Sequence, residues 1–153
     1  MMTPATPVEA CTGSALGLLF RQVRDAMWAR MERELAAAGH ELTFSQYIAI
    51  KQLANDGSAS ATDLARAADL NPGAMTRLLD KLEARGLLAR SADPNDRRAL
   101  HIHLTEAGRA LWSDVDQCGR RVRERALRGM DEATRTQLTR LLEQARDNLL
   151  ATD

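Results

Sequence analysis

Two arginines stand side by side at the end of the run Asp93-Pro94-Asn95-Asp96-Arg97-Arg98. Proline presets one turn dihedral and Asp or Asn side chains cap their own backbone, so Asp93, Pro94 and Asn95 supply a bend by themselves. The bend needs nothing from arginine. Adjacent guanidiniums projecting from a turn suit phosphate pairing and insertion into a narrow, electronegative groove. Asp96 would be repelled by phosphate, so its expected task is to hold an arginine side chain extended and lower the entropy lost on docking. A second set lies upstream in Asn71-Pro72-Gly73-Ala74-Met75-Thr76-Arg77. Gly73 and Ala74 are small enough to let a backbone approach a surface, Thr76 offers a methyl and a hydroxyl, and Arg77 is a fork matched to guanine O6 and N7. Further along, Lys81 and Arg85 are placed for phosphates. Both sets point to double-stranded nucleic acid.

Other chemistries find less. A catalytic site would show a nucleophile with its base, a metal set or a phosphate loop, and no Gly-rich loop after a strand, G-x-S-x-G or H-E-x-x-H is present. The expectation is no enzyme and no cofactor. His101 and His103 share one face of a strand, but zinc needs a third and usually a fourth ligand and no obvious one is offered, so no metal is expected. Cys11 and Cys118 are too few and too far apart for a disulfide framework and are read as structural thiols. Lys and Arg number 21 against 21 Asp and Glu, so indiscriminate charge-driven binding to nucleic acid is excluded and any such site must be local. No apolar run approaches the roughly 20 residues of a membrane span. The N-terminal stretch MMTPATPVEACTGS lacks a basic start and an apolar core, so residues 1–13 read as a disordered lead-in to a cytoplasmic protein.

These side chains need elements to hold them. Leu16, Leu19, Phe20, Val23, Met27, Met31, Leu35 and Ala38 repeat at helical spacing and predict a long amphipathic helix from Ser14 to Gly39. Thr43 with Gln46 has capping-box spacing and opens a second helix to about Asn55. Ser60 with Asp63 repeats the box for a short third helix. Asn71-Pro72 caps a fourth, whose Met75, Leu78, Leu79 and Leu82 face the core, and Gly86 ends it. Leu87 to Ser91 and the alternating Leu100-His101-Ile102-His103-Leu104 then predict a hairpin around the DPND turn. Leu111, Val115, Cys118 and Val122 mark a fifth helix, and Leu138, Leu141, Leu142, Ala145 and Leu149 a sixth opening near Asp131. Two short helices, a tight turn and a hairpin describe a mainly α winged helix-turn-helix over residues 43–104, with the fourth helix as reader. Residues 14–42 and 105–153 supply long helices whose apolar stripes need each other and a second chain, predicting a homodimer.

The stretch Leu70–Gly108 resembles the MarR (multiple antibiotic resistance regulator) family of bacterial transcription factors, most specifically in Asp96-Arg97-Arg98 followed by a strand and Leu104-Thr105-Glu106-Ala107-Gly108. The resemblance implies a homodimeric repressor of a pseudo-palindromic DNA operator, released by a small molecule or an oxidant. It places the minor-groove arginine on Arg98, its partner acid on Asp96 and the recognition-helix contacts on Pro72 through Arg77. It also implies an effector cavity for phenolic or carboxylate ligands, for which the candidate lining is Arg21, Arg24, Trp28, His40, Tyr47 and Trp112. A redox-sensing branch of the family carries a cysteine early in the first helix; Leu16 to Phe20 has none, and Tyr47 is the one tyrosine. Two alternatives stay open: cysteine redox control on the same fold, and a winged helix that serves as a protein-protein module.

Overall fold

The computed structural model describes residues 13–93 and 95–152, with Gly13, Ser14 and 96–99 described by their backbone alone. Residues 1–12 of the expected lead-in, with Cys11, lie outside the described residues, as do the side chains of Asp96, Arg97 and Arg98, while Gly13, read as the end of the lead-in, is already helical.

The chain runs α1 (Gly13–Ala37), α2 (Phe44–Asp56), α3 (Ala61–Ala68), α4 (Pro72–Ala84), β1 (Leu88–Asp93), β2 (Asp96–Leu104), α5 (Glu106–Ala126) and α6 (Glu132–Leu150). Most helix starts follow from one residue. Thr43 and Gln46 close both bonds of the capping box, Thr43 N donating to Gln46 Oε1 at 3.0 Å and Gln46 N to Thr43 Oγ1 at 3.2 Å. Ser60 realises half of the expected box: its Oγ accepts from Asp63 N at 3.1 Å, while the Asp63 carboxylate faces Arg66 at 3.7 Å. The α3–α4 turn passes through Asp69 in the left-handed region (φ 53°), a conformation that Asp tolerates better than most residues.

The core gathers one face of each element. Ile50 and Leu53 of α2, Leu64 of α3, Met75, Leu79 and Leu82 of α4, Leu88 and Ile102 of the strands and Val115 of α5 are all buried. Each such side chain stabilises by roughly 1.5–3 kcal/mol on leaving water. Met31 and Leu35 join α1 to this core, but Leu16, Leu19, Phe20, Val23 and Met27, on the preceding turns, are exposed. Helix α6 has no buried residue at all, and its Leu141, Leu142, Leu149 and Leu150 are exposed. The long stripes expected from periodicity are therefore uncovered within one chain.

The hairpin is longer than the sequence suggested. β1 and β2 pair antiparallel from Leu88↔Leu104 to Ala92↔Leu100, and the register shifts between Ala92 and Asp93, which pairs with Asp96. One step along β1 thus spans Leu100 to Asp96 on β2, and Arg97 and Arg98 fall in the bulge between. Bulges bend a strand and re-aim what it carries. A further antiparallel bridge was not expected from the sequence: Ala59 N donates to Ile102 O at 3.0 Å and Ile102 N to Ala59 O at 2.9 Å. It ties the α2–α3 connection to β2.

Candidate nucleic-acid interface

Helix α4 begins at a well-made cap. Asn71 Oδ1 accepts from Ala74 N at 2.8 Å and Pro72 occupies the first turn, where its missing N–H costs nothing. A cap of this kind is worth about 1 kcal/mol. Met75, Leu78, Leu79 and Leu82 are buried, so rotation of the helix about its axis is fixed by packing. That rotation leaves Pro72, Gly73, Thr76, Arg77 and Lys81 exposed and Ala74 half-buried. Thr76 Oγ1 donates back to Pro72 O at 2.9 Å, so its hydroxyl proton is spent on the helix, and its oxygen remains an acceptor and its methyl an apolar contact. Arg77 runs toward the N-terminal tip: a Cβ added to Gly73 would lie 3.8 Å from Arg77 Nη1. Small residues and a guanidinium share the end of the helix, the arrangement that major-groove entry requires.

Two exposed charged residues at the C-terminal half of α4 are engaged within the protein. Arg85 Nη1 donates to Glu41 O at 3.1 Å, which binds the end of α4 to the α1–α2 connection. Asp80 pairs with Arg90 of β1 at 2.9 Å, and the same guanidinium lies 3.6 Å from Glu83. Arg90 was missed because a helical face pattern says nothing about a strand residue that returns beneath it.

The wing is anchored at its base. Thr105 Oγ1 accepts from Gly108 N at 3.1 Å, capping α5, and donates to Gly86 O; Thr105 N donates to Leu87 O at 3.1 Å. The Leu104-Thr105-Glu106-Ala107-Gly108 signature is thus a clamp joining α4's end, β2 and α5. Near the tip, Asp93 Oδ1 accepts from Asn95 N at 2.8 Å and Asp93 Oδ2 lies 3.0 Å from His101 Nε2. His101 and His103 are half-buried.

Of the proposed effector residues, three rings come together. Trp28 and Tyr47 have centroids 5.5 Å apart, and Tyr47 and Trp112 6.4 Å. Phe44, which the sequence reading passed over, meets Trp28 edge to face at 5.0 Å. His40 lies beside this cluster in sequence order and its Nε2 contacts Asp114 Oδ2 at 2.9 Å. Arg21 and Arg24 are exposed on α1, with Arg24 held by the adjacent Asp25 at 2.9 Å. Cys118 is fully buried, and Arg121 Nη2 donates to its sulfur at 3.2 Å. Glu34 receives Arg121 at 2.8 Å and Arg30 at 2.9 Å. Arg121's hydrogen bond above all, with Arg30's charge beside it, holds the Glu34 carboxyl below the usual carboxylate range against the opposing effect of burial.

Known proteins resemble this chain in sequence and fold. Residues 42–100 match the model of the MarR family. An HTH-type transcriptional repressor of Mycobacterium bovis is 30% identical over 128 residues, covering 84% of this chain and 91% of that protein. The HTH-type transcriptional repressor NicR of Pseudomonas putida is 29% identical over 112 residues, 73% of this chain and 71% of its own. Among solved structures, Bordetella bronchiseptica BpsR, whose DNA binding is regulated by 6-hydroxynicotinic acid, aligns with a TM-score of 0.71 at 27% identity over 86% of this chain and 92% of its own. A cysteine-to-serine variant of E. coli MarR complexed with operator DNA has the same fold, with a TM-score of 0.73 at 23% identity over 86% and 93% of the two chains. A capped reader helix with a small-residue tip, a clamped wing and these likenesses lead to one assignment: the chain belongs to the MarR family of winged helix-turn-helix transcriptional regulators.

Proposed function

We propose that this regulator is a homodimeric cytoplasmic repressor that reads a pseudo-palindromic operator and is released by a small aromatic carboxylate or phenol. Residues 43–104 form the reading unit, while 14–42 and 105–153 assemble the dimer. In each reading unit Pro72, Gly73, Ala74, Thr76 and Arg77 face a major groove and Lys81 meets phosphate. Arg98 enters the neighbouring minor groove, oriented by Asp96, with Arg97 on the backbone. The observation that carries the reading is the tip of α4, where an exposed Arg77 shares the end of a fixed helix with Gly73 and Thr76, while the hairpin meets the same helix further along, through Arg90 and Asp80.

The dimer is supported by the four exposed leucines of α6 and the exposed apolar half of α1. Stripes of this size on one chain call for a partner surface. The effector class is supported by the cluster of the Trp28, Phe44, Tyr47 and Trp112 rings, an aromatic surface suited to a planar ligand. The likeness to BpsR, a protein regulated by 6-hydroxynicotinic acid, agrees with it.

The test uses a duplex that the wild-type chain itself selects from a random-sequence pool. Arg98→Ala should weaken binding to it at physiological salt and leave the dimer intact; unchanged affinity removes the wing from the interface. Arg77→Ala should narrow the gap between selected and random duplex by about 1–3 kcal/mol, the worth of one bidentate base contact. Equal losses on both duplexes would make Arg77 a phosphate contact.

A further inference from the structure

Helix α4 carries Arg77 and Lys81 against Asp80 and Glu83. By its own side chains the reader is electrically neutral, and half of its charges repel phosphate. Double-stranded DNA presents about one negative charge per 1.7 Å of its axis, so two free carboxylates on a helix entering a groove oppose docking directly. Both are answered by one residue from outside the helix. Arg90 of β1 places Nη2 2.9 Å from Asp80 Oδ1 and Nη1 3.6 Å from Glu83 Oε2. Its side chain is 24% exposed, while those of Asp80 and Glu83 are 59% and 45% exposed, so the pairing stays sensitive to salt.

We infer that Arg90 is a positioning residue for DNA reading: it engages both Asp80 and Glu83 and offsets one of their two negative charges, so that α4 together with Arg90 presents a net positive charge beside Arg77 and Lys81. The geometry explains why arginine stands here. Asp80 and Glu83 are one turn apart on the helix, and a planar fork with two terminal nitrogens reaches both, whereas an ammonium is a single point. The location explains why the residue sits on β1. A base on α4 itself could be drawn to phosphate and leave the acids exposed, but Arg90 is half-buried on a neighbouring strand. The same contact draws the wing's first strand against the reader helix.

This inference rests on α4 being the DNA-reading helix, and the experiment separates the two. A duplex selected by the wild-type chain is titrated, by fluorescence anisotropy at several KCl concentrations, with wild type, Arg90→Gln and the triple variant Arg90→Gln/Asp80→Asn/Glu83→Gln, with melting temperature and dimer mass read alongside. Arg90→Gln, which bares two acids, should bind about tenfold or more weakly near 0.1 M salt, with the loss shrinking as salt screens the repulsion. Its plot of log affinity against log salt should be shallower than that of wild type. The triple variant should regain most of the affinity, which no loss of packing by Arg90 would allow. Wild-type affinity in Arg90→Gln, or a triple variant as weak as the single one, overturns the role of Arg90 while leaving DNA reading intact. Failure of the wild-type chain to select any duplex overturns both.

Discussion

Gly108 has no room for a methyl group: a Cβ built there overlaps the carbonyl oxygen of Leu87 and comes 3.3 Å from Leu104 Cβ. The first turn of α5 therefore lies against the backbone at the start of the wing, and only glycine permits it. Gly108→Ala should destabilise the fold by about 1–3 kcal/mol, the usual cost of forcing extra volume against backbone, read as a fall in denaturation midpoint with unchanged slope. An unchanged midpoint would mean that the clamp has slack. In the sequence Gly108 is legible only as part of a motif, because its reason is Leu87, a contact across 21 positions that no local pattern encodes. Caps are the opposite case. Thr43, Ser60 and Asn71 each act within three residues of themselves, and each accepts from the backbone N–H that its spacing implied. Arg85 and Arg90 show the limit: both look solvated in a helical or strand pattern, and both are tied to residues brought in by the fold.

At the scale of elements, periodicity and capping signals together identified the helices and the hairpin of the described residues, because a stripe and a cap are both properties of one segment. It also placed Met75, Leu78, Leu79 and Leu82 inward, which fixed the exposed set on α4. What it could not supply was the pairing of elements: the Ala59–Ile102 bridge and the contact of α1 with α5 depend on chain paths between distant segments. Glu34 links α1 to α5 through Arg121, and its lowered pKa gives the link a pH signature. A carboxyl whose folded pKa is depressed contributes stability that is fully present above its unfolded value and is lost as pH falls through the folded value. Wild type should therefore be more stable than Glu34→Gln at neutral pH, with the gap closing below the ordinary carboxylate range. Denaturant melts across that range test this; a gap that stays constant to strong acid would show that Glu34 acts by packing and not by charge.

At the scale of the molecule, a chain with 21 basic and 21 acidic residues reads DNA by arrangement and not by net charge. Several of its acids are paired within the fold, Asp80 and Glu83 with Arg90 and Glu34 with Arg30 and Arg121. The two ends of the chain meanwhile leave apolar stripes uncovered on α1 and α6, and a second copy covers them in the proposed assembly. Two copies related by a twofold axis would present two α4 tips and two wings, and so read an inverted repeat with half-sites one helical turn apart, about 34–36 Å. The most direct test is hydroxyl-radical footprinting of the wild-type chain on its selected duplex, joined to sedimentation of the complex. Expected are two chains per duplex and two symmetric protected half-sites about one turn apart, each flanked by minor-groove protection that Arg98→Ala removes. One chain per duplex, or a single protected site without symmetry, would contradict the dimeric winged-helix reader.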